Sequence, residues 1–202
     1  DLHSWNHFNE YAGYANCLNM YMDLLPYFDL VWIGEGRDYD RMPDHWLIEV
    51  SGIPFGLPGQ MLQGGGHPWR GMVYGITNRA GWGGDPTAIW NFWDEYHIEG
   101  KQMMGYWDEN SPIKVDNPHV RATLYKGDGE SIIAVGNWAE QDQECTIEID
   151  WVALGYDRKS SSYTLPFVQD YQNAGSQKRL KGVIIPGGKG YLIVIRDKNY
   201  NK

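Results

Sequence analysis

The sequence predicts an α/β region, the last four β/α units of a (β/α)8 barrel over residues 1–115, followed by an antiparallel β-sandwich over 116–202. Three observations lead there. Up to about residue 115, apolar stripes at helical spacing alternate with short apolar runs of strand length, the grammar of parallel strands joined by crossover helices. From about 118 to 196, strand patterns alternate with turns and no helical period appears. The chain has 202 residues, whereas a whole barrel takes about 250, so the first region has room for about half of one.

Asp1, Leu2 and His3 read as the tail of a strand, so the chain is expected to be a piece of something longer, without a visible signal sequence. Tyr11, Tyr14, Ala15, Leu18, Met22 and Leu25 form one helical stripe ended by Pro26. Residues 28–33 are a short apolar run closed by Gly34, and a second helix starts at His45 before the glycine and proline breakers of 52–59. Residues 71–76 are a further strand candidate. Asp85 and Pro86 form an N-cap and N1 pair for a helix with the stripe Ala88, Ile89, Phe92, Trp93 and Tyr96. Residues 101–106 are the last barrel strand, closed by Trp107 and Asp108.

In the second region, 121–125 and 131–137 flank the turn 126–130, a hairpin signal. Cys145, Ile147, Ile149 and Trp151 alternate with polar residues as on a half-buried strand. Residues 182–185 and 191–196 flank a glycine-rich turn and read as a second hairpin. Cys17 and Cys145 read as two buried free thiols rather than a pair.

Composition narrows the function. Ten Trp and 14 Tyr in 202 residues are an excess of flat apolar faces, which pack in cores and also stack on sugar rings. The net charge of −9 and the lack of a basic run exclude a nucleic-acid partner, which needs clustered Lys and Arg. The uncharged stretch 50–67 is broken by proline and glycine, so no segment reads as membrane-spanning. No phosphate-binding glycine loop and no Gly-x-Ser-x-Gly elbow is present. His3 and His7, with Asp1 or Glu35, fall short of a zinc ligand set, and no metal or cofactor is expected.

Active-site residues of a barrel follow the C-terminal ends of its strands. Those ends carry His3 and Asn6, then Glu35 and Arg37, then Arg79, then Trp107 and Asp108. Glycoside cleavage uses two carboxyl groups, one of which protonates the leaving oxygen. Glu35 is the candidate acid, since burial beside Trp32 would raise its pKa. Asp108 is the second candidate, as catalytic partner or sugar-hydroxyl anchor. His3, Asn6, Trp32, Arg37, Arg79 and Trp107 would bind substrate. Plainer readings stand beside these: a loop ion pair between Glu35 and Arg37, and a chain-turning role for Asp108.

The strings Phe28-Asp29-Leu30-Val31-Trp32-Ile33-Gly34-Glu35, Glu49-Val50-Ser51-Gly52-Ile53-Pro54-Phe55-Gly56-Leu57 and Gly105-Tyr106-Trp107-Asp108 resemble glycoside-hydrolase-like proteins of gut Bacteroidetes near glycoside hydrolase family 123. Ala134-Val135-Gly136-Asn137-Trp138 is similar to a strand of the C-terminal sandwich that follows many glycosidase barrels. The resemblance implies a secreted, periplasmic or cell-surface protein acting on oligo- or polysaccharide. If the strands are the fifth to eighth of a barrel, Glu35 follows the sixth, where the α-galactosidase-like clan keeps its acid/base, by fold-level analogy. The carboxylate that many barrel glycosidases place after the fourth strand would then come from a missing N-terminal half or a second copy in a homo-dimer. The alternative is a non-catalytic carbohydrate-binding or scaffolding module.

Overall fold

The computed structural model describes residues 2–3, 23–29, 31–33, 43, 47, 51–53, 56, 59–61, 68–77 and 85–199. Contacts divide the chain into two units, 1–87 and 88–202, whereas the sequence reading set the division at 115/116.

In the first unit, β1 (Leu2–His3), β2 (Val31–Ile33) and β3 (Gly59–Met61) form a parallel sheet in the order β1-β2-β3. The apolar run at 28–33 thus supplies the middle strand. β3 was not expected, because Gly59 and Gln60 carry no strand signal. α1 (Pro68–Val73) replaces the strand expected at 71–76. Proline is tolerated in a helix's first turn, and a short apolar run reads alike for a buried strand and a buried helix. The end of α1 also has a signal: Gly75, at φ 68°, sends its N–H to Met72 O, and Ile76 N–H reaches Gly71 O at 3.1 Å. This pair of bonds is a Schellman closure, which needs a left-handed residue where glycine sits. Met72, Val73, Tyr74 and Ile76 are buried, and Tyr74 Oη donates to Pro43 O at 2.8 Å.

α2 (Thr87–Glu95) starts at the division and runs into the second unit, and at its start Asp85 accepts from Thr87 N–H at 2.9 Å, so the expected cap is formed. β4 (Gln102–Met104), expected to be a parallel barrel strand, is antiparallel to β6. β5 (Ile113–Val115) follows, then β6 (Val120–Lys126) and β7 (Glu130–Asn137), which form the expected hairpin. β8 (Gln143–Cys145) and β9 (Ile147–Ile149) carry the expected alternation. Trp151 instead begins the short helix α3 (Trp151–Leu154), because Asp150 caps Val152 and Ala153 N–H at 3.0 Å each. β10 (Ser161–Leu165), β11 (Gly175–Gln177), β12 (Val183–Ile185) and β13 (Gly190–Asp197) complete the unit.

Six strands form one sheet in the order β11-β10-β13-β7-β6-β4, and every pairing in it is antiparallel. Two ribbons, β5-β9 and β8-β12, are separate sheets. β12 therefore pairs with β8, not with β13 as the expected second hairpin required. The core gathers Ala122 and Leu124 of β6, Ile133 and Val135 of β7, and Ile193 and Ile195 of β13. Against them pack Ile113, Cys145, Ile147, Val183 and Ile185 from the ribbons, with Leu154 of α3. This is a sheet packed on two ribbons, the sandwich principle with a divided second layer.

Side-chain amides and close glycines lock this layer together. Asn137, fully buried, donates to Gln141 O at 2.9 Å and Ile185 O at 3.0 Å, and accepts from Ala139 N–H at 2.8 Å. The Val-Gly-Asn string is thus a structural clasp from β7 to the end of β12. At Gly190 a Cβ would lie 1.9 Å from Val135 O, so no other residue fits beside β7. Tyr156 Oη donates to Gly127 O at 2.5 Å and meets Ser131 Oγ at 2.7 Å, bracing the β6–β7 turn. Burial pushes the Tyr156 hydroxyl up to about 12. Burial, then the carboxylates of Asp116 and Glu144, push the free Cys145 thiol up to about 11. Cys17 lies outside the described residues.

Two outcomes are expected. Gly190→Ala should lower the thermal midpoint sharply, or abolish folding, in a melt followed by circular dichroism, since the added carbon overlaps backbone rather than a movable side chain. Stability should also fall with alkalinity. The raised Cys145 and Tyr156 groups favour the neutral form in the folded chain, so their contribution is whole below the unfolded values of 9.0 and 10.0. It is lost as pH climbs through about 11 and about 12. Urea titrations from pH 8 to 12 should show the decline, and Tyr156→Phe should shallow its upper part.

Candidate functional site

Of the residues proposed from sequence, His3 and Trp32 fall in β1 and β2, where they are directly paired across the parallel ladder. This sets two proposed substrate binders on adjacent strands, near the C-terminal ends that matter in a barrel. Glu35 comes two residues after the last residue of β2. Asn6, Glu35, Arg37 and Arg79 lie outside the described residues, as does the Arg37 ion-pair reading.

Trp107 and Asp108 are fully described and belong to the second unit. They follow β4, which is antiparallel, so the expectation that they stand at the end of a parallel strand is corrected. The chain turns tightly here, with Asp108 N–H on Gly105 O at 3.0 Å and Ser111 N–H on Asp108 O at 3.0 Å. The Asp108 carboxylate accepts from Asn110 N–H at 2.9 Å, an Asx turn that satisfies backbone. This is the chain-turning role, and it occupies one carboxylate oxygen. Gly105 has a separate reason to be glycine: a Cβ would come within 2.4 Å of the Trp107 indole, which lies back over it.

The aromatic pair is ordered rather than splayed. Tyr106 and Trp107 meet edge to face at 5.1 Å and 82°, a favourable geometry for two rings. Arg121 sits 5.3 Å from the centre of the Tyr106 ring and donates to Pro118 O at 2.7 Å and Val120 O at 3.0 Å. Tyr106, Trp107, Asp108, Glu109, Lys114 and Arg121 line a cleft of about 430 Å3, which falls within the size range of small-molecule sites. It offers a half-buried aromatic wall, carboxylates and cations, a set suited to holding a polar ring compound.

Sequence reasoning passed over Glu130, which is buried with its side chain 7% exposed. Its oxygens meet Arg196 Nε at 2.6 Å and Lys101 Nζ at 3.6 Å. Arg196 also lies 5.8 Å from the Tyr96 ring, and Tyr96 stacks on Phe92 of α2 at 4.5 Å. The cluster ties the helix end, β4 and the sheet together. In sequence Glu130 looked like a turn residue, and only the pairing of β7 with β13 brings Arg196 to it.

A unit with a parallel sheet followed by an antiparallel β unit, the latter carrying an aromatic and carboxylate-lined cleft, defines a two-unit α/β-plus-β protein. The model of the glycoside hydrolase 123 TIM-barrel domain matches residues 1–81, and that of the glycoside hydrolase 123 C-terminal domain matches residues 85–196. The chain belongs to glycoside hydrolase family 123, and holds part of the family's barrel followed by its β-rich C-terminal domain. No curated protein matches it. Trp107 and Asp108 accordingly fall within the C-terminal domain match.

Removing the buried carboxylate should be costly, because it takes away the anion that both Lys101 and Arg196 meet at a site closed to solvent. Glu130→Ala is expected to lose about 3–5 kcal/mol in chemical denaturation, whereas Arg196→Ala, at a side chain 51% exposed, should lose less.

Proposed function

We propose that this chain serves the hydrolysis of glycosidic bonds in complex glycans outside the cytoplasm, with Glu35 as general acid/base and His3, Asn6, Trp32, Arg37 and Arg79 binding sugar around it. Family membership supports a carbohydrate substrate. The observation that carries the reading is β2, flanked on both sides by parallel neighbours and ending at Ile33. An inner barrel strand delivers the residues just past its C-terminal end to the active-site face, and Glu35 is the first carboxylate beyond Ile33. A glutamic acid there would protonate the leaving glycosidic oxygen, with the second carboxyl group coming from elsewhere in the barrel. Trp107 and Asp108 extend sugar binding in the C-terminal domain, Trp107 as a stacking face and Asp108 through the oxygen its turn leaves over.

A second reading, carbohydrate binding without cleavage, is favoured by one observation, the ordered Tyr106–Trp107 cleft. The two readings separate on one panel. Residues 1–81 match the barrel domain and a whole barrel takes about 250 residues, so aryl glycosides and mucin-type glycans are assayed with protein carrying the entire barrel. Glu35→Gln is expected to lower kcat by about 100-fold or more, as removal of a general acid does, with an unchanged circular dichroism spectrum. Undiminished turnover in that variant would overturn the assignment. Glycan binding without product release, weakened by Trp107→Ala, would establish the second reading.

A further inference from the structure

We propose a binding site for acidic glycans, bearing sulfate or carboxylate groups, in a cleft of the C-terminal domain formed by Arg158, Lys178, Arg179, Lys181, Trp151 and Tyr163. The cleft has a volume of about 520 Å3. Its cations come from two places, the turn before β10 and the segment between β11 and β12. The latter, Lys178-Arg179-Leu180-Lys181, places three cations in four residues, a short basic cluster where the sequence was expected to have no basic run. Leu180 is buried in the core and Ile147 N–H bonds its carbonyl at 2.8 Å, so the run is anchored at its centre while its three cations stay exposed.

Charge and partners make this a site rather than a solvated face. Arg158, Lys178, Arg179 and Lys181 make no side-chain hydrogen bond or ion pair among the described residues. Four cations line the cleft against a single carboxylate, so its lining carries a net positive charge that attracts an anion. One carboxylate, Glu148, also lines the cleft. The wall supplies a second chemistry. Trp151 and Tyr163 are half-buried, packed against the core, with centroids 6.3 Å apart and planes at 51°. Rings fixed this way present a face to a sugar ring at little entropic cost. A flat bilayer does not fill a concavity, and a bare polyanion has no use for the rings. A chain of sugars carrying anionic groups uses both. The proposal goes beyond the hydrolytic reading and does not depend on Glu35, so either can fail alone.

The test is affinity electrophoresis of the full 202-residue chain through gels containing chondroitin sulfate, unsulfated chondroitin or neutral dextran. Retardation should be strongest with chondroitin sulfate, weaker with chondroitin, absent with dextran, and should fall as salt rises. Arg179→Ala/Lys181→Ala, at exposed side chains, should weaken binding by about tenfold or more with an unchanged circular dichroism spectrum. Tyr163→Leu should weaken it while keeping its salt dependence. No retardation by chondroitin sulfate, or retardation that the double variant retains, would overturn the proposal. Equal binding of inorganic polyphosphate that ignores Tyr163→Leu would mark a general polyanion surface and overturn it as well. So would sedimentation with phosphatidylserine vesicles in place of polysaccharide binding.

Discussion

The C-terminal domain depends on the burial of β7. All eight of its residues, Glu130 to Asn137, are buried, and it is hydrogen-bonded on both edges, to β6 and to β13. A strand in that position has no solvent to satisfy any group it carries, so each polar atom needs a partner within the protein. Its first and last residues meet this demand with side chains. Glu130 enters with a charge and is held by Lys101 and Arg196. Asn137 leaves with an amide that bonds the carbonyls of Gln141 and Ile185. Between them the apolar faces of Ile133 and Val135 organise the core, while Ile132 and Ala134 are equally dry.

The same demand recurs where strands diverge. β10 follows β13 only as far as the Thr164–Val194 pair, which would leave Leu192 open on that edge. Gln172 fills the place of a strand: its amide donates to Leu192 O at 3.0 Å and accepts from Leu192 N–H at 2.8 Å. A primary amide carries the donor and acceptor of a peptide unit, so one side chain can finish a ladder. Its own segment is fixed by the Val168–Gln172 bridge and a second bond to Pro166 O at 2.7 Å. The sheet is thus completed by amides and by close-approaching glycines rather than by longer strands.

What was legible in the sequence follows from how local each signal is. The 121–137 hairpin, the Asp85 cap and the alternation through Cys145, Ile147 and Ile149 are written in adjacent residues, and all three occur. β10 and β11 were not visible because Ser161, Ser162, Gly175 and Ser176 carry no strand propensity, and they are strands by virtue of pairing with β13 and with each other. The 182–196 hairpin failed for the converse reason. Its local pattern is sound, but Cys145 and Gln143 offer β12 a partner on the ribbon side, and the turn at 186–189 carries the chain from one layer to the other. Residues 71–76 failed on period, since a short, mostly buried apolar run does not distinguish a helix from a strand. Among the proposed site residues, Trp107 and Asp108 follow a strand end that is antiparallel rather than the parallel one expected.

The basic cleft was illegible because its parts are 20 positions apart, and because bulk charge pointed the other way. A net charge of −9 repels an acidic glycan at long range, yet at physiological salt the screening length is about 8 Å. Inside that distance an anion in the cleft senses Arg158, Lys178, Arg179 and Lys181 against one lining carboxylate, Glu148, rather than the charge of the whole chain. Whole-chain charge therefore governs the rate of approach to this surface more than it governs what the surface holds. An acidic protein with a local cationic cleft selects ligands that also bring something for its rings, because Coulomb attraction alone is offset at a distance. On that argument the half-buried Trp151 and Tyr163 decide specificity, and the four cations decide that the specificity is for an acid.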